Sequence, residues 1–192
     1  MAKLYFYYSS MNAGKSTTLL QSSFNYRERG MNTMLWTAAI DVRYAPNHVT
    51  SRIGLDAQAR AFGPETDIFA QTMAQHAETP LACILVDEAQ FLTRDQVLQL
   101  ARLCDEENIP VLCYGLRTDF QGELFEGSGA LLGLADTLSE IKTICECGRK
   151  ATMNLRVTNS GEAVSEGDQT EIGGNDRYIA LCRKHFMERL RH

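Results

Sequence analysis

A Gly-Lys-Ser-Thr run at Gly14 to Thr17, set between an aromatic apolar stretch and a helix-compatible one, restricts this chain more than any other feature. Leu4 to Tyr8 (Leu-Tyr-Phe-Tyr-Tyr) reads as a strand, and Thr17 to Asn25 as the start of a helix. Strand, tight loop and helix are the context in which such a match becomes a phosphate-binding loop. Backbone N–H groups of the loop can wrap a polyphosphate, and the helix N-terminus adds about half a positive charge at the same point. Lys15 would reach the β- and γ-phosphates, and the Ser16 hydroxyl would ligate Mg²⁺. Gly14 lets the backbone approach an anion where a Cβ would intrude. The usual pattern opens with glycine; here Ser9 holds that place, and serine makes the turn less freely. A plain strand-to-helix turn with a surface lysine is the bland alternative.

A second motif points to the same chemistry. Leu81 to Val86 is a continuous apolar run, as expected of a central parallel strand covered on both faces. It ends in Asp87-Glu88-Ala89-Gln90-Phe91. A carboxylate at the tip of a strand beside the phosphate-loop strand is where Mg²⁺ needs a partner, and Asp87 fits. Glu88, one residue on, points differently and is free for general base work. The candidate nucleotide-binding residues are therefore Ser9, Ser10, Met11, Asn12, Ala13, Gly14, Lys15 and Ser16, with Asp87, Glu88, Ala89 and Gln90.

The remaining elements follow in alternation. The first helix runs from Ser16 towards Arg29, with Gly30 as C-cap. Thr33 to Ala39 reads as a second strand, Asp41 to Pro46 as turn-rich, and Arg52 to Phe62 as a stretch without clear period and with room for a short strand. Glu65 to His76 reads as a helix closed by Pro80. Thr93 caps a helix over Arg94 to Glu107. Val111 to Leu116 is the next strand, and Glu126 to Ala135 a helix weakened by Gly127, Gly129 and Gly133. This alternation predicts an α/β fold, an open and mostly parallel sheet with helices on both faces.

From Ile144 the character changes. Cys145-Glu146-Cys147 and Cys182-Arg183-Lys184-His185 form two close pairs of metal-ligand types. Three thiolates and an imidazole can close a tetrahedral structural zinc site, although one residue rather than two separates the first thiols. Unpaired thiols or a redox pair remain open on the pattern alone. Cys83, Cys104 and Cys113 lie in apolar contexts and read as buried thiols. A zinc clip would fasten the ends of the segment 148–181, whose polar, glycine-rich part could then serve as a lid. The expected division is a nucleotide-binding domain over 1–143 and a small zinc-binding lobe over 144–192.

Composition excludes several classes. Lys and Arg number 19 against 24 Asp and Glu, a net charge of −5, so a nucleic acid polymer is not the expected partner. No run approaches the ~18 apolar residues of a membrane span, and Met-Ala-Lys followed by a strand is not read as a signal peptide. At 192 residues, 44% hydrophobic, the chain can build one sizeable core with a small appendage.

Taken together, the segment Ser9 to Thr17, Asp87 to Phe91, Gly115-Leu116-Arg117-Thr118-Asp119-Phe120, the Cys145/Cys147 pair, and Ile172-Gly173-Gly174-Asn175-Asp176-Arg177-Tyr178 leading to Cys182 and His185 resemble the thymidine kinases of the cytosolic, zinc-containing type. The likeness covers nearly the whole chain, and bacterial members share both Ser9 and the Cys-x-Cys spacing. It implies transfer of the γ-phosphoryl of ATP to the 5′-hydroxyl of thymidine or deoxyuridine. It also implies a RecA-like domain, a zinc-held lobe with a lasso-type loop over the nucleoside, a cytoplasmic homotetramer, and feedback inhibition by thymidine triphosphate (dTTP). Glu88 matches the family's general base. Met11, Phe91, Leu116, Phe120, Phe125, Ile172, Gly173, Gly174 and Tyr178 match the nucleoside pocket, and Asp41 and Arg43 a pair near the phosphates or sugar. Each aromatic, taken singly, would serve as well in an ordinary core.

Two other classes compete. Asp-Glu-Ala-Gln also occurs in RecA-like helicases, where the glutamate activates water; such an NTPase acting on nucleic acid needs two such domains and a basic track. A non-catalytic zinc module on a degenerate nucleotide fold would not need Lys15, Ser16, Asp87 and Glu88 intact.

Overall fold

The computed structural model describes residues 1–40, 47–170 and 177–191. Asp41, Arg43, Ile172, Gly173 and Gly174 lie outside the described residues. The elements run β1 (Leu4–Ser9), α1 (Lys15–Glu28), β2 (Asn32–Ala38), β3 (His48–Thr50), β4 (Asp56–Gln58), β5 (Arg60–Phe62), α2 (Ile68–Glu78) and β6 (Leu81–Val86). A 3₁₀ turn follows at Ala89–Phe91, then α3 (Arg94–Asp105), β7 (Val111–Leu116), α4 (Glu126–Leu134) and β8 (Thr137–Glu140). The last elements are β9 (Thr143–Ile144), β10 (Lys150–Ala151), β11 (Met153–Arg156), β12 (Tyr178–Leu181) and α5 (Arg183–Leu190).

Six strands form one sheet in the order β5-β2-β6-β7-β1-β8, and every pairing in it is parallel. The expected α/β arrangement, an open parallel sheet with helices on both faces, is present. Side chains alternate across it, as the period of a strand requires. Leu4, Phe6, Met34, Trp36, Ile84, Val86, Val111 and Cys113 pack on one face with Ile68 of α2, Val97, Leu100 and Leu103 of α3, and Leu131 of α4. Leu35, Cys83, Leu85, Leu112 and Tyr114 pack on the other with Leu19 and Leu20 of α1 and Val49 of β3. Burial of both faces accounts for the unbroken apolar run of β6.

Local chemistry sets the helix ends. Thr93 and Gln96 make a reciprocal capping box at α3. α1 ends in a Schellman arrangement: Met31 N–H donates to Tyr26 O at 3.0 Å and Gly30 N–H to Arg27 O at 2.9 Å, with Gly30 at φ +74°. Gly30 is thus the residue after the cap, which is Arg29. The stretch 52–62, read as room for a short strand, contains two, β4 and then β5 at the sheet edge, and β3 just before it pairs with β4 in an antiparallel hairpin.

One topological expectation needs correction. β6, which carries Asp87 at its tip, does not neighbour β1: β7 pairs with both and lies between them. α1 rises across this gap, packing on β6 and β7, so the first helical residues come within reach of the β6 tip.

Beyond the sheet, β9 pairs with β10 and β11 with β12, all antiparallel. Cys145, Ala151, Leu155, Val157, Leu181, Cys182 and Phe186 form a separate small apolar cluster. No helix among the described residues is long and apolar enough to cross a membrane.

Candidate active site and metal centre

The chain leaves β1 at Ser9 and curls into α1 through two left-handed residues, Asn12 at φ +64° and Gly14 at φ +86°. Gly14 is also the N-cap of α1. The Lys15 ammonium is buried in this curl, donating to Ser9 Oγ at 3.0 Å and to Ser10 O at 3.1 Å. Ser9 therefore does more than permit the turn. Its hydroxyl accepts from Lys15 and donates to Ser10 O at 2.7 Å, and a glycine could do neither.

Ser16, in the first turn of α1, donates its hydroxyl hydrogen to Asp87 Oδ2 at 2.9 Å. Asp87 is buried. Burial, and then the neighbouring Glu88 charge, push its carboxyl well above the usual carboxylate range; Ser16, the Glu88 N–H and Lys15 oppose the shift. The chain turns sharply at Glu88, whose φ of +51° is left-handed for a residue with a Cβ. Such strained residues gather at functional sites. Among the bonds that hold Glu88 in place, its N–H donates to Asp87 Oδ1 at 3.0 Å, and Gln90 Nε2 donates to its Oε2. Gln90 Oε1 in turn accepts the Leu116 N–H at 3.0 Å. The turn approaches β7 so closely that a Cβ on Gly115 would lie 2.8 Å from Gln90 Oε1.

Met11 to Thr17, Asp87, Glu88 and Leu116 line one side of a cleft of about 290 Å³. Its other side is built by Thr37 and by His48 to Ile53 of the β3–β4 hairpin, residues that sequence reasoning missed. Within the hairpin, Asp56 accepts from Thr50 Oγ1 at 2.7 Å and pairs with His48 at 2.8 Å. The period-two run His48-Val49-Thr50 before the turn at Gly54 was the available signal.

The other aromatic candidates fall into two groups. Phe91 and Phe125 meet edge to face, with ring centroids 5.8 Å apart. Phe120 and Tyr178 are joined by buried Arg156, whose guanidinium carbon lies 3.7 Å from the Phe120 ring centroid and whose Nε donates to the Tyr178 hydroxyl at 3.0 Å. Arg156 also donates to Asp168 O at 2.9 Å. Gln169 Nε2 donates to Asp119 Oδ2 at 2.9 Å, and Gln121 Nε2 to Ser165 O at 2.9 Å. These bonds tie the segment after β11 to the loop after β7.

The cysteine–histidine residues also converge. One ligand atom from each of Cys145, Cys147, Cys182 and His185 lies within 4.8 Å of all the others. Cys145 Sγ is 3.3 Å from His185 Nδ1, and Cys147 Sγ is 3.9 Å from Cys182 Sγ. A tetrahedral ion with Zn–S bonds of about 2.3 Å needs neighbouring sulfurs roughly 3.8 Å apart, so the four can hold zinc. Burial works against ionisation of Cys145, but the amides of Cys147 and Cys182 and the His185 ring outweigh it and hold the thiol below its usual value. Arg189 grips the Glu146 carboxylate with contacts of 2.8 and 2.7 Å, fastening α5 over the loop between the first two cysteines.

The description "Thymidine kinase" belongs to the family model that matches residues 2–186. A thymidine kinase of Novosphingobium aromaticivorans is 70% identical over 188 residues, covering 98% of each chain. One of Zymomonas mobilis is 65% identical over 190 residues, covering 99% of this chain and 98% of its own. One of Photobacterium profundum is 58% identical over 190 residues, covering 99% of each. With a loop, a carboxylate pair and a thiolate cluster of this geometry, and with relatives matched end to end, the chain belongs to the thymidine kinase family.

Proposed function

We propose that this chain phosphorylates thymidine, or deoxyuridine, at the 5′-hydroxyl with ATP, a cytoplasmic salvage step that supplies thymidylate for DNA synthesis. The observation that carries the reading is the meeting of Lys15, Ser16, Asp87 and Glu88 at one cleft mouth. Phosphoryl transfer is mostly positioning and charge neutralisation. The loop from Ser9 to Ser16 binds the phosphates, and Lys15 turns from Ser9 and Ser10 to the β- and γ-oxygens. Ser16 and Asp87 present two hard oxygen donors that suit the Mg²⁺ accompanying ATP, and that ion neutralises phosphate charge. Asp87 would hold it as the anion, a form its burial alone disfavours.

Glu88 is the catalytic base. Its carboxylate takes the proton of the 5′-hydroxyl as that oxygen bonds to the γ-phosphorus, while the bond from phosphorus to the β–γ bridging oxygen breaks and ADP leaves. Gln90 aims the carboxylate. Met11, Phe91, Leu116, Phe120, Phe125 and Tyr178 supply the apolar walls a pyrimidine requires, with Ile172, Gly173 and Gly174 reading the base edge. The segment tied by Arg156, Gln169 and Gln121 forms the base of a lid that excludes water.

The same reading divides the chain into a nucleotide-binding domain over 1–143 and a lobe over 144–192 held by zinc on Cys145, Cys147, Cys182 and His185. It takes the enzyme to be a homotetramer inhibited by dTTP. A RecA-like NTPase acting on nucleic acid is the weaker alternative, for a chain of net charge −5 offers little to a polyanion. ATP consumption decides between them: thymidine alone should stimulate it and a polynucleotide alone should not. The opposite result would overturn the proposal. Among acceptors, thymidine and deoxyuridine should differ mildly, since a methyl in an apolar pocket is worth only about 1–3 kcal/mol, whereas deoxyadenosine should be refused.

A further inference from the structure

Asn154 joins three segments of the chain: its own strand, the phosphate loop and the loop after β7. It lies in β11, in the antiparallel pair next to the cysteine–histidine cluster, and is buried. Its Oδ1 accepts the backbone N–H of Met11, in the phosphate loop, at 2.7 Å. Its Nδ2 donates to the backbone carbonyl of Thr118, in the loop after β7, at 3.3 Å. The orientation of the carboxamide needs no choice, because Met11 N–H can only donate and Thr118 O can only accept. A weaker tie runs alongside, from Ser10 Oγ to Ala151 O at 3.5 Å.

Only asparagine matches this place. Leucine has its shape and neither polar atom. Aspartate keeps an acceptor for Met11 but, when ionised, turns an oxygen on the Thr118 carbonyl. Glutamine is longer by a methylene in a site where the residue is only 2% exposed. The Met11 amide stands just before the left-handed Asn12 and four residues before Lys15, so fixing it fixes where the curl begins.

We propose that Asn154 is a positioning residue for the phosphate loop, by which β11 holds the Met11 amide and the Thr118 carbonyl in one arrangement and so sets the affinity for ATP. The inference rests on Ser9 to Thr17 being the ATP phosphate site. It predicts that Asn154→Leu raises KM for ATP about tenfold or more, the effect of leaving a buried N–H and C=O without partners at a binding loop. KM for thymidine should rise too, because Met11 and Phe120 also belong to its pocket walls, but by less than KM for ATP. Asn154→Asp, which retains the Met11 acceptor but sets an oxygen against the Thr118 carbonyl, should raise KM for ATP by less than Asn154→Leu does.

The experiment is steady-state kinetics with each substrate varied, beside zinc content and backbone amide exchange at Met11 in the full chain. Unchanged zinc with a rise in KM for ATP that exceeds the rise for thymidine supports the proposal. A KM for ATP unmoved in Asn154→Leu, or a rise for thymidine at least as large, overturns it. If Asn154→Leu fails to fold, the wild type still decides: a slow Met11 amide supports the proposal, and exchange at the rate of a free peptide overturns it. A wild type that consumes no ATP with thymidine sinks the functional reading instead, and a protected Met11 amide would then show the tie to be structural only.

Discussion

The Ser16 hydroxyl and the Asp87 carboxylate meet at 2.9 Å although 71 positions separate them in the chain. Ser16 lies in the first turn of α1 and Asp87 directly follows β6, and β7 lies between β6 and β1, the strand that leads into α1. The contact exists because α1 slants across the sheet from β1 towards β6. It brings the phosphate loop and the carboxylate pair into one site, and the chemistry assigned to Lys15 and Glu88 depends on that convergence.

Glu88→Gln should leave ATP affinity close to normal while lowering kcat. Glutamine keeps the size of the side chain but takes no proton, and general base catalysis contributes roughly 10²- to 10⁴-fold. ATP binding followed by titration calorimetry, with turnover measured on the same preparation, checks both halves. A loss of less than about threefold in kcat would remove Glu88 from the role of base.

Lys15→Ala should lose both affinity and turnover. The ammonium is held at 3.0 Å from Ser9 Oγ and 3.1 Å from Ser10 O, buried in the loop proposed to bind the phosphates. Charge-assisted bonds contribute roughly 1.5–3 kcal/mol each, so KM for ATP should rise at least about tenfold. A normal KM and kcat in this variant would mean that the loop does not bind phosphate.

What the sequence disclosed and what it hid divide along a physical line. Ser9 to Thr17 and Asp87 to Phe91 were legible because their chemistry is carried by contiguous residues. The Cys145/Cys147 and Cys182/His185 pairs were legible because few residue types ligate zinc. The sheet order was not, since nothing within β6 states that β7 will separate it from β1. β3 and β8 were missed because strands of three and four residues carry too little periodicity. Asn154 and Arg156 were missed for another reason: a buried asparagine or arginine in a short strand has no meaning until the groups opposite it, Met11 N–H or the Phe120 ring, are known.

The metal centre gives a stability prediction. Purified, chelator-washed protein should retain about one zinc per chain, and Cys182→Ser should lose it, because a closed thiolate site contributes folding free energy directly. The damage should centre on the small cluster of Leu155, Leu181 and Phe186 that packs with Cys145 and Cys182. Hydrogen exchange should therefore accelerate over β11, β12 and α5 more than over β1, β6 and β7. Folded, active protein with zinc near zero would refute the assignment.

Two glycines of one helix make opposite predictions. A Cβ on Gly127 would lie 2.6 Å from Ala89 O, 2.7 Å from Leu92 O and 3.0 Å from Gln90 O. These are backbone carbonyls of the turn that follows Glu88, and they cannot rotate aside as a side chain would. A Cβ on Gly133 meets nothing within 4 Å. In an unhindered helix, replacing glycine by alanine gains up to about 1 kcal/mol, so Gly133→Ala should raise the melting temperature slightly or leave it unchanged. At Gly127 the same gain is opposed by overpacking of typically about 1–3 kcal/mol. The collision is with backbone on three sides, so the overpacking should win. Gly127→Ala should therefore lower the melting temperature, at roughly 2–4 °C per kcal/mol for a chain of this size. It should also lower kcat, because the displaced turn carries both Glu88 and Gln90. Thermal melts and initial rates of the two variants, measured side by side, provide the check. Equal stability of Gly127→Ala and Gly133→Ala would show that α4 can withdraw from the turn without cost, and that its close approach does not hold Glu88 in position.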